Sequence, residues 1–248
     1  MIVDCHTHWG IGFEDRDGGD PKNWLAKLDE HGIDKAYVMP HYGIHRLDRA
    51  QQDNDRLAEL QKRLPDRILG LGTTWPQQGE AAVDEARRCL EDLGLVGLKY
   101  HPWVQGFSTA DPVFGEICAL AGEAGIPVFF HDGTPCYSLS EQIGGLARRF
   151  PQTRLVLGHS GLLWNWRSAV EAMRHPNVWA TLCGPHMRAM EILCQRCDPD
   201  RLLWGTDYGF SFADPIEYRL GLIRAARIDD VLREKILGVN PLKLLEKE

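Results

Sequence analysis

Short apolar runs return along this chain at nearly even intervals, with helix-like stretches between them, and that rhythm restricts the fold more than any other feature. The runs cover residues 2–8, 36–40, 68–74, 96–102, 127–133, 154–161, 178–184 and 202–208. Their starts lie roughly 24 to 34 residues apart, the length of one strand–loop–helix–loop unit. Between them, Trp24, Leu25, Leu28 and His31 fall at helical spacing before Gly32. Residues 81–93 and 114–124 end at Gly94 and Gly125 in the same way, and Asp111–Pro112 and Asp214–Pro215 read as helix starts. Helix also fits 142–149, 166–174, 187–197, 216–226 and 230–237, with a short closing helix over 241–247. Eight alternating units with no linker or low-complexity tract predict an α/β fold, a single-domain (β/α)8 TIM barrel over residues 1–248. The rival, a doubly wound sheet, wants a glycine-rich loop after its first strand, and none is present.

Bulk properties narrow the classes of function. A chain of 248 residues buries a sizeable core without staples. The net charge of −7 argues against nonspecific nucleic-acid and anionic-membrane binding. No run approaches the ~20 apolar residues that span a bilayer. The first strand-like run starts at Ile2 and leaves no room for a signal peptide, so the chain reads as soluble and cytoplasmic. Seven cysteines, an odd number spread through strands and helices, do not form a disulfide framework. Cys194 and Cys197 make a lone CxxC on a helix and read as reduced thiols.

In a barrel of this kind chemistry sits at the C-terminal strand ends. Those ends carry His6 and His8, then Lys99 and His101, then His131, His159 and Asp207, whereas the opposite ends are mostly apolar apart from a solvent-facing Arg154. Side chains alternate along a strand, so His6 and His8 should share one face, with Cys5 and Thr7 on the other. Imidazole nitrogens and a carboxylate oxygen suit a divalent cation. Strand eight closes onto strand one, which brings Asp207 beside His6 and His8, and His131 completes a four-ligand set. A single strand-end histidine is ordinarily just a satisfied polar group. Several at one rim, each ending an apolar strand, favour a metal site.

With these residues the chain resembles the amidohydrolase superfamily of metal-dependent barrels. The motifs are VDCHTH (3–8), GLKYHP (97–102), FFHDG (129–133), LVLGHSG (155–161), LLWGTDYGF (202–210) and ILGVNPLKLL (236–245). Within the superfamily it is most similar to the branch shared by amidohydrolase-2-type hydrolases and the aminocarboxymuconate-semialdehyde decarboxylase group. The resemblance implies one divalent metal, Zn2+ first and Mn2+ or Fe2+ as alternatives, on His6, His8, His131 and Asp207. It implies that His159 polarises substrate or donates a proton. In binuclear relatives a lysine at the place of Lys99 is carboxylated and bridges two metals, and this chain leaves that open. TatD-like nucleases carry glutamate there instead.

The expectation is hydrolysis of a small carbonyl compound (an amide, lactone or ester) through a metal-activated water. Asp207 would take the water's proton and His159 would hydrogen-bond the developing oxyanion. Lys99, His101 and Trp103 would hold the rest of the substrate. The alternatives are nonoxidative decarboxylation of an unsaturated or aromatic acid, which uses the same ligands, and a barrel that binds without catalysis. Trp75, His41 and Tyr208 follow strands and read equally well as loop packing. Residues 10–20 read as a lid or a plain connection. The partner expected is a small-molecule substrate, and a homo-oligomer is allowed.

Overall fold

A computed structural model describes residues 1–9, 20–210 and 214–246. Eight parallel strands run in sequence order: β1 Val3–His8, β2 Lys35–Met39, β3 Ile68–Gly72, β4 Gly97–Tyr100, β5 Val128–Phe130, β6 Leu155–Leu157, β7 Val178–Thr181 and β8 Leu202–Leu203. The ring closes through backbone bonds from Cys5 N–H to Trp204 O (2.9 Å), Asp207 N–H to His6 O (2.8 Å) and His8 N–H to Tyr208 O (2.7 Å), with a parallel bridge between Thr7 and Tyr208. The fold is the expected (β/α)8 barrel.

The helices follow the same apolar spacing. Pro112–Ala124 starts with Asp111 Oδ1 accepting the Phe114 N–H and ends at Gly125 in the left-handed conformation, which a Cβ would strain. Ser140–Arg149, Trp166–Ala172, Met187–Arg196 and Ile216–Ala225 lie within a residue or two of expectation. Asp214 differs. Pro215, not Asp214, is the N-cap of the last of these, and Asp214 Oδ1 accepts the Ile216 N–H in a local turn. Ala50–Arg63, a fourteen-residue helix between β2 and β3, has little periodic signal in the sequence, because its face is mostly polar and only Ala50, Leu57 and Leu60 are buried apolar anchors.

Two apolar layers hold the barrel. Val3, Cys5, Tyr37, Met39, Leu71, Phe129, Val156, Trp179 and Leu203 come from seven strands and fill the interior. Alternate residues such as Leu98, Phe130 and Ala180 face the helices instead. Burying each large side chain contributes about 1.5–3 kcal/mol. Leu244 joins the interior cluster from the closing segment. Arg154, expected to face solvent, instead donates from Nη1 to Leu244 O (2.6 Å) and pins that segment beneath β6.

β1 departs from simple alternation. Asp4 pairs with Ala36 and Thr7 with Val38, three steps on one strand against two on its neighbour, which is a bulge. Cys5 therefore faces the interior with Val3, contrary to the alternation expected from its spacing, and the bulge then lets His6 and His8 turn inward above it. Among the described residues no helix is long and apolar enough to cross a membrane. Residues 10–19, most of the segment read as a lid or connection, lie outside the described residues.

Candidate active site

His6, His8 and Asp207 converge where β1 meets β8. His6 Nε2 lies 3.3 Å and His8 Nε2 3.5 Å from the same Asp207 Oδ1. His6 Nδ1 is 2.9 Å from Gly158 O, and His8 Nδ1 is 3.0 Å from Pro40 O. A carbonyl oxygen only accepts, so each Nδ1 carries the proton and each Nε2 turns a lone pair toward the carboxylate. Two imidazole lone pairs facing one carboxylate oxygen repel unless a cation lies among them, and this donor set suits a divalent metal. The ligating atoms of His6, His8 and Asp207 all lie within 4.8 Å of one another.

Close backbone approach makes this convergence fit. A Cβ on Gly158 would stand 2.2 Å from Phe130 O and 2.9 Å from His6 Cε1, so only glycine leaves room for the ring. Asp207 has φ 66°, a left-handed conformation that aspartate tolerates better than most residues and that is concentrated at functional sites. Asp4 supports both sides of the cluster: Oδ1 accepts from His6 N–H (3.0 Å) and Thr206 N–H (3.1 Å), and Oδ2 from Thr206 Oγ1 (2.6 Å).

The other strand-end residues surround this group. His131 stands outside the compact triad; its ring stacks on His101 at 3.8 Å and 10° and meets His159 edge-on at 4.3 Å. His159 lies 4.6 Å from His6 between ring centroids. Lys99 is fully buried, with Nζ 3.2 Å from His6 Nε2. His101 is buried and held by Gln105, whose Oε1 accepts the His101 N–H (2.7 Å). Trp103 is 57% exposed, its ring 6.2 Å from that of His101, so it borders the mouth rather than the floor. Of the residues read as packing, Trp75 donates Nε1–H to Gly43 O (2.7 Å) and Tyr208 stacks on Trp24. His41 approaches the site, 6.0 Å from the His8 ring, with Phe210 5.1 Å from His8.

Burial dominates the electrostatics. It drives the imidazoles of His6, His8 and His159 below their ordinary value, and takes His131 to about 3 and His101 to about 2, so all are neutral. Burial also lowers the Lys99 ammonium to about 8, with Asp207 pulling the other way. For Asp207 burial pulls upward and positive charge at its imidazole neighbours pulls the carboxyl well below the usual carboxylate range; with those imidazoles neutral, that charge has to come from a cation among them.

Three supporting residues escaped the sequence reading. Asp132 Oδ1 accepts His159 N–H (2.6 Å), and Oδ2 accepts Gly161 N–H (2.6 Å) and Ser140 Oγ (2.9 Å), which fixes the loop carrying His159. Asp4 acts likewise for Asp207, and both carboxylates stand directly in the motifs DCH and HDG. Cys183 follows β7, with Sγ 3.1 Å from His159 Nδ1 and 2.8 Å from Gly158 O. Its signal was only positional, since a cysteine ending an apolar strand looks like core. Cys194 and Cys197 are free thiols, as expected.

The amidohydrolase family model matches residues 3–247. The chain is 25% identical over 240 residues to 2-amino-3-carboxymuconate-6-semialdehyde decarboxylase of Dictyostelium discoideum, covering 80% of this chain and 67% of that protein. It is 27% identical over 207 residues to gamma-resorcylate decarboxylase of Rhodococcus jostii (strain RHA1), covering 62% of this chain but only 60% of the relative. It is also 22% identical over 283 aligned positions to 2-keto-4-carboxy-3-hexenedioate hydratase of Sphingobium sp. (strain NBRC 103272 / SYK-6), with 84% and 83% covered. Solved structures of the same fold include 5-carboxyvanillate decarboxylase from Sphingomonas paucimobilis (TM-score 0.77, 18% identity, 98% of each chain). Another is a dihydroxybenzoic acid decarboxylase from Polaromonas sp. JS666 with bound manganese (TM-score 0.73, 19% identity, 98% and 96% covered).

These relatives overturn the expected hydrolysis of an amide, lactone or ester. Their named reactions are mostly carbon dioxide loss, and the histidine–aspartate ligand set that prompted the hydrolytic reading serves both chemistries. The match over nearly the whole chain, on a barrel with this order of strand-end histidines and aspartate, shows that the protein is an enzyme of the amidohydrolase superfamily and belongs to its amidohydrolase-2 branch.

Proposed function

We propose that the protein is a metal-dependent, nonoxidative decarboxylase of a small unsaturated or aromatic carboxylic acid. The observation that carries this reading is a His6–His8–Asp207 donor group, both imidazoles buried and the carboxylate partly open, in a chain most of whose reported relatives are named as decarboxylases of such acids. His6, His8, Asp207 and, from the end of β5, His131 would hold one divalent ion. The manganese in a fold relative favours Mn2+ alongside Zn2+. When bound, the ion supplies positive charge that orients an anionic substrate and stabilises electron density on its oxygens.

The chain's own groups do the rest. Lys99 and His101 point from β4 toward the ring of histidines and would meet the substrate's anionic groups, with Trp103 at the mouth. Phe210 and the stacked His101–His131 pair provide flat surfaces against which a conjugated system packs. In the reaction the bond to the carboxyl carbon breaks, its electron pair stays on the substrate carbon, and that carbon takes a proton as carbon dioxide leaves. Asp207 and His159 hold and deliver that proton. Burial keeps bulk water from competing with substrate for these groups.

The test is a panel of aromatic and unsaturated mono- and dicarboxylic acids incubated with Mn2+- or Zn2+-supplemented protein, with carbon dioxide and product mass both followed. Stoichiometric carbon dioxide and a product short by one carboxyl group are expected. A product heavier by one water would support the hydratase relative instead, and turnover of none of the acids would sink the reading.

A further inference from the structure

We infer that Cys183 is a positioning residue that fixes the ring tautomer of His159. The Cys183 side chain is 1% exposed, and its Sγ touches three polar atoms: Gly158 O at 2.8 Å, His159 Nδ1 at 3.1 Å and His6 Nδ1 at 3.7 Å. A thiol has one proton to give and can accept weakly on sulfur. Gly158 O has none to give, so the short contact to it requires the thiol proton to point at that carbonyl. The sulfur then turns only lone pairs toward His159, and the 3.1 Å contact is attractive only if His159 Nδ1 carries hydrogen.

The result is one chain of hydrogen bonds: His159 Nδ1–H to Cys183 Sγ, Cys183 S–H to Gly158 O, with His6 Nδ1–H donating to the same oxygen at 2.9 Å. Both histidines become Nδ1–H tautomers through one carbonyl. His6 thereby offers Nε2 to the cation cluster, and His159 presents Nε2 as the nitrogen that exchanges a proton with substrate or Asp207. The opposite arrangement, thiol to His159 Nδ1, would leave sulfur and carbonyl lone pairs opposed at 2.8 Å. His6, His159 and Cys183 also have the makings of a soft-metal group. That use would take His6 Nδ1 away from Gly158 O and undo the geometry of the His6–His8–Asp207 group, so the tautomer role is the better reading.

The role of His159 in catalysis rests on the proposed decarboxylation; its tautomer does not, and the experiment separates the two. Long-range 1H–15N spectra of histidine-labelled, zinc-supplemented protein read the tautomer directly, with His159→Gln identifying the signals. Wild type should show protonated Nδ1 and bare Nε2 at His159. Cys183→Ser, whose hydroxyl both donates and accepts, should keep that pattern, and Cys183→Ala should lose it. If activity has been found, the pH profile of kcat should move in the alanine variant and not in the serine variant. An unchanged His159 pattern in Cys183→Ala overturns the inference. So does equal loss in both variants, which would assign the change to packing at the strand end.

Discussion

Asp4 grips Thr206 with both carboxylate oxygens, Oδ1 on the backbone N–H at 3.1 Å and Oδ2 on the hydroxyl at 2.6 Å, while Oδ1 also takes the His6 N–H at 3.0 Å. The first strand is thus tied to the residue preceding Asp207, and two proposed ligands on opposite sides of the barrel seam are set by one buried side chain. Asp4→Ala strands three donors and should cost on the order of 3 kcal/mol in urea unfolding. Metal affinity should fall about 10–100-fold, as for partners behind metal ligands generally. Wild-type unfolding and metal titration curves for Asp4→Ala would show that the seam does not depend on this clamp.

Divalent metal should stabilise the fold by mass action. At a free concentration about 100 times Kd the gain is about 2.7 kcal/mol, or roughly 5–10 °C in Tm for a chain this long. Chelator should reverse it, and His8→Ala should abolish the response to added Mn2+ or Zn2+. Scanning calorimetry of the two proteins with and without metal tests this; equal shifts in both would remove His8 from the ligand set.

Asp53 offers a pH-dependent check outside the candidate metal-binding group. Its buried Oδ2 accepts the His41 and Gly43 N–H groups at 2.9 and 2.8 Å, and burial raises its carboxyl to about 6. The native protein therefore holds a proton between about pH 4 and 6 that the unfolded chain has lost. This group's contribution is complete below about pH 4 and declines as pH rises through 6, by on the order of 3 kcal/mol. Asp53→Asn keeps an accepting oxygen but not the titration. Urea midpoints of wild type and variant should diverge across this window, and parallel pH dependences would contradict the assignment.

Much of this site could be read from the chain because strand ends are where apolar runs stop. His6, His8, His159 and Asp207 each end such a run, and an imidazole or carboxylate there has no comfortable burial without a partner. What could not be read has physical reasons too. The β1 bulge depends on how Asp4 and Thr7 pair with β2, and pairing register is a property of two strands, so simple alternation puts Cys5 on the wrong face. Cys183 and Asp132 act through hydrogen bonds to residues distant in sequence, and neither residue type advertises this locally. The polar helix Ala50–Arg63 is held by few apolar anchors and carries a weak periodic signal. Reaction type was hidden for a chemical reason, since one ligand set supports water activation and decarboxylation alike.

Asp132 separates positioning from binding. Its two oxygens hold the backbone on both sides of Ser160, whose own φ is 48°, so the loop bearing His159 depends on it. Asp132→Ala should lower kcat on the order of 10²-fold, the usual effect of a displaced reacting group, with KM and metal content little changed. A KM defect with intact kcat would place Asp132 in substrate binding instead.

Lys99 should show activity and stability moving in opposite directions. It is 1% exposed, with burial lowering its ammonium to about 8, so the fold bears the cost of an amine inside the barrel. Lys99→Met keeps the length and removes the polar head, and its urea midpoint should equal or exceed that of wild type. Decarboxylation of an acid substrate should drop about 10²-fold or more in kcat/KM, because a buried cation facing a substrate anion has no replacement there. Metal content decides the remaining question at this residue. One ion per chain in both proteins fits Lys99 as an unmodified substrate contact. A fall from two ions to one in Lys99→Met would instead make it a carboxylated, bridging ligand.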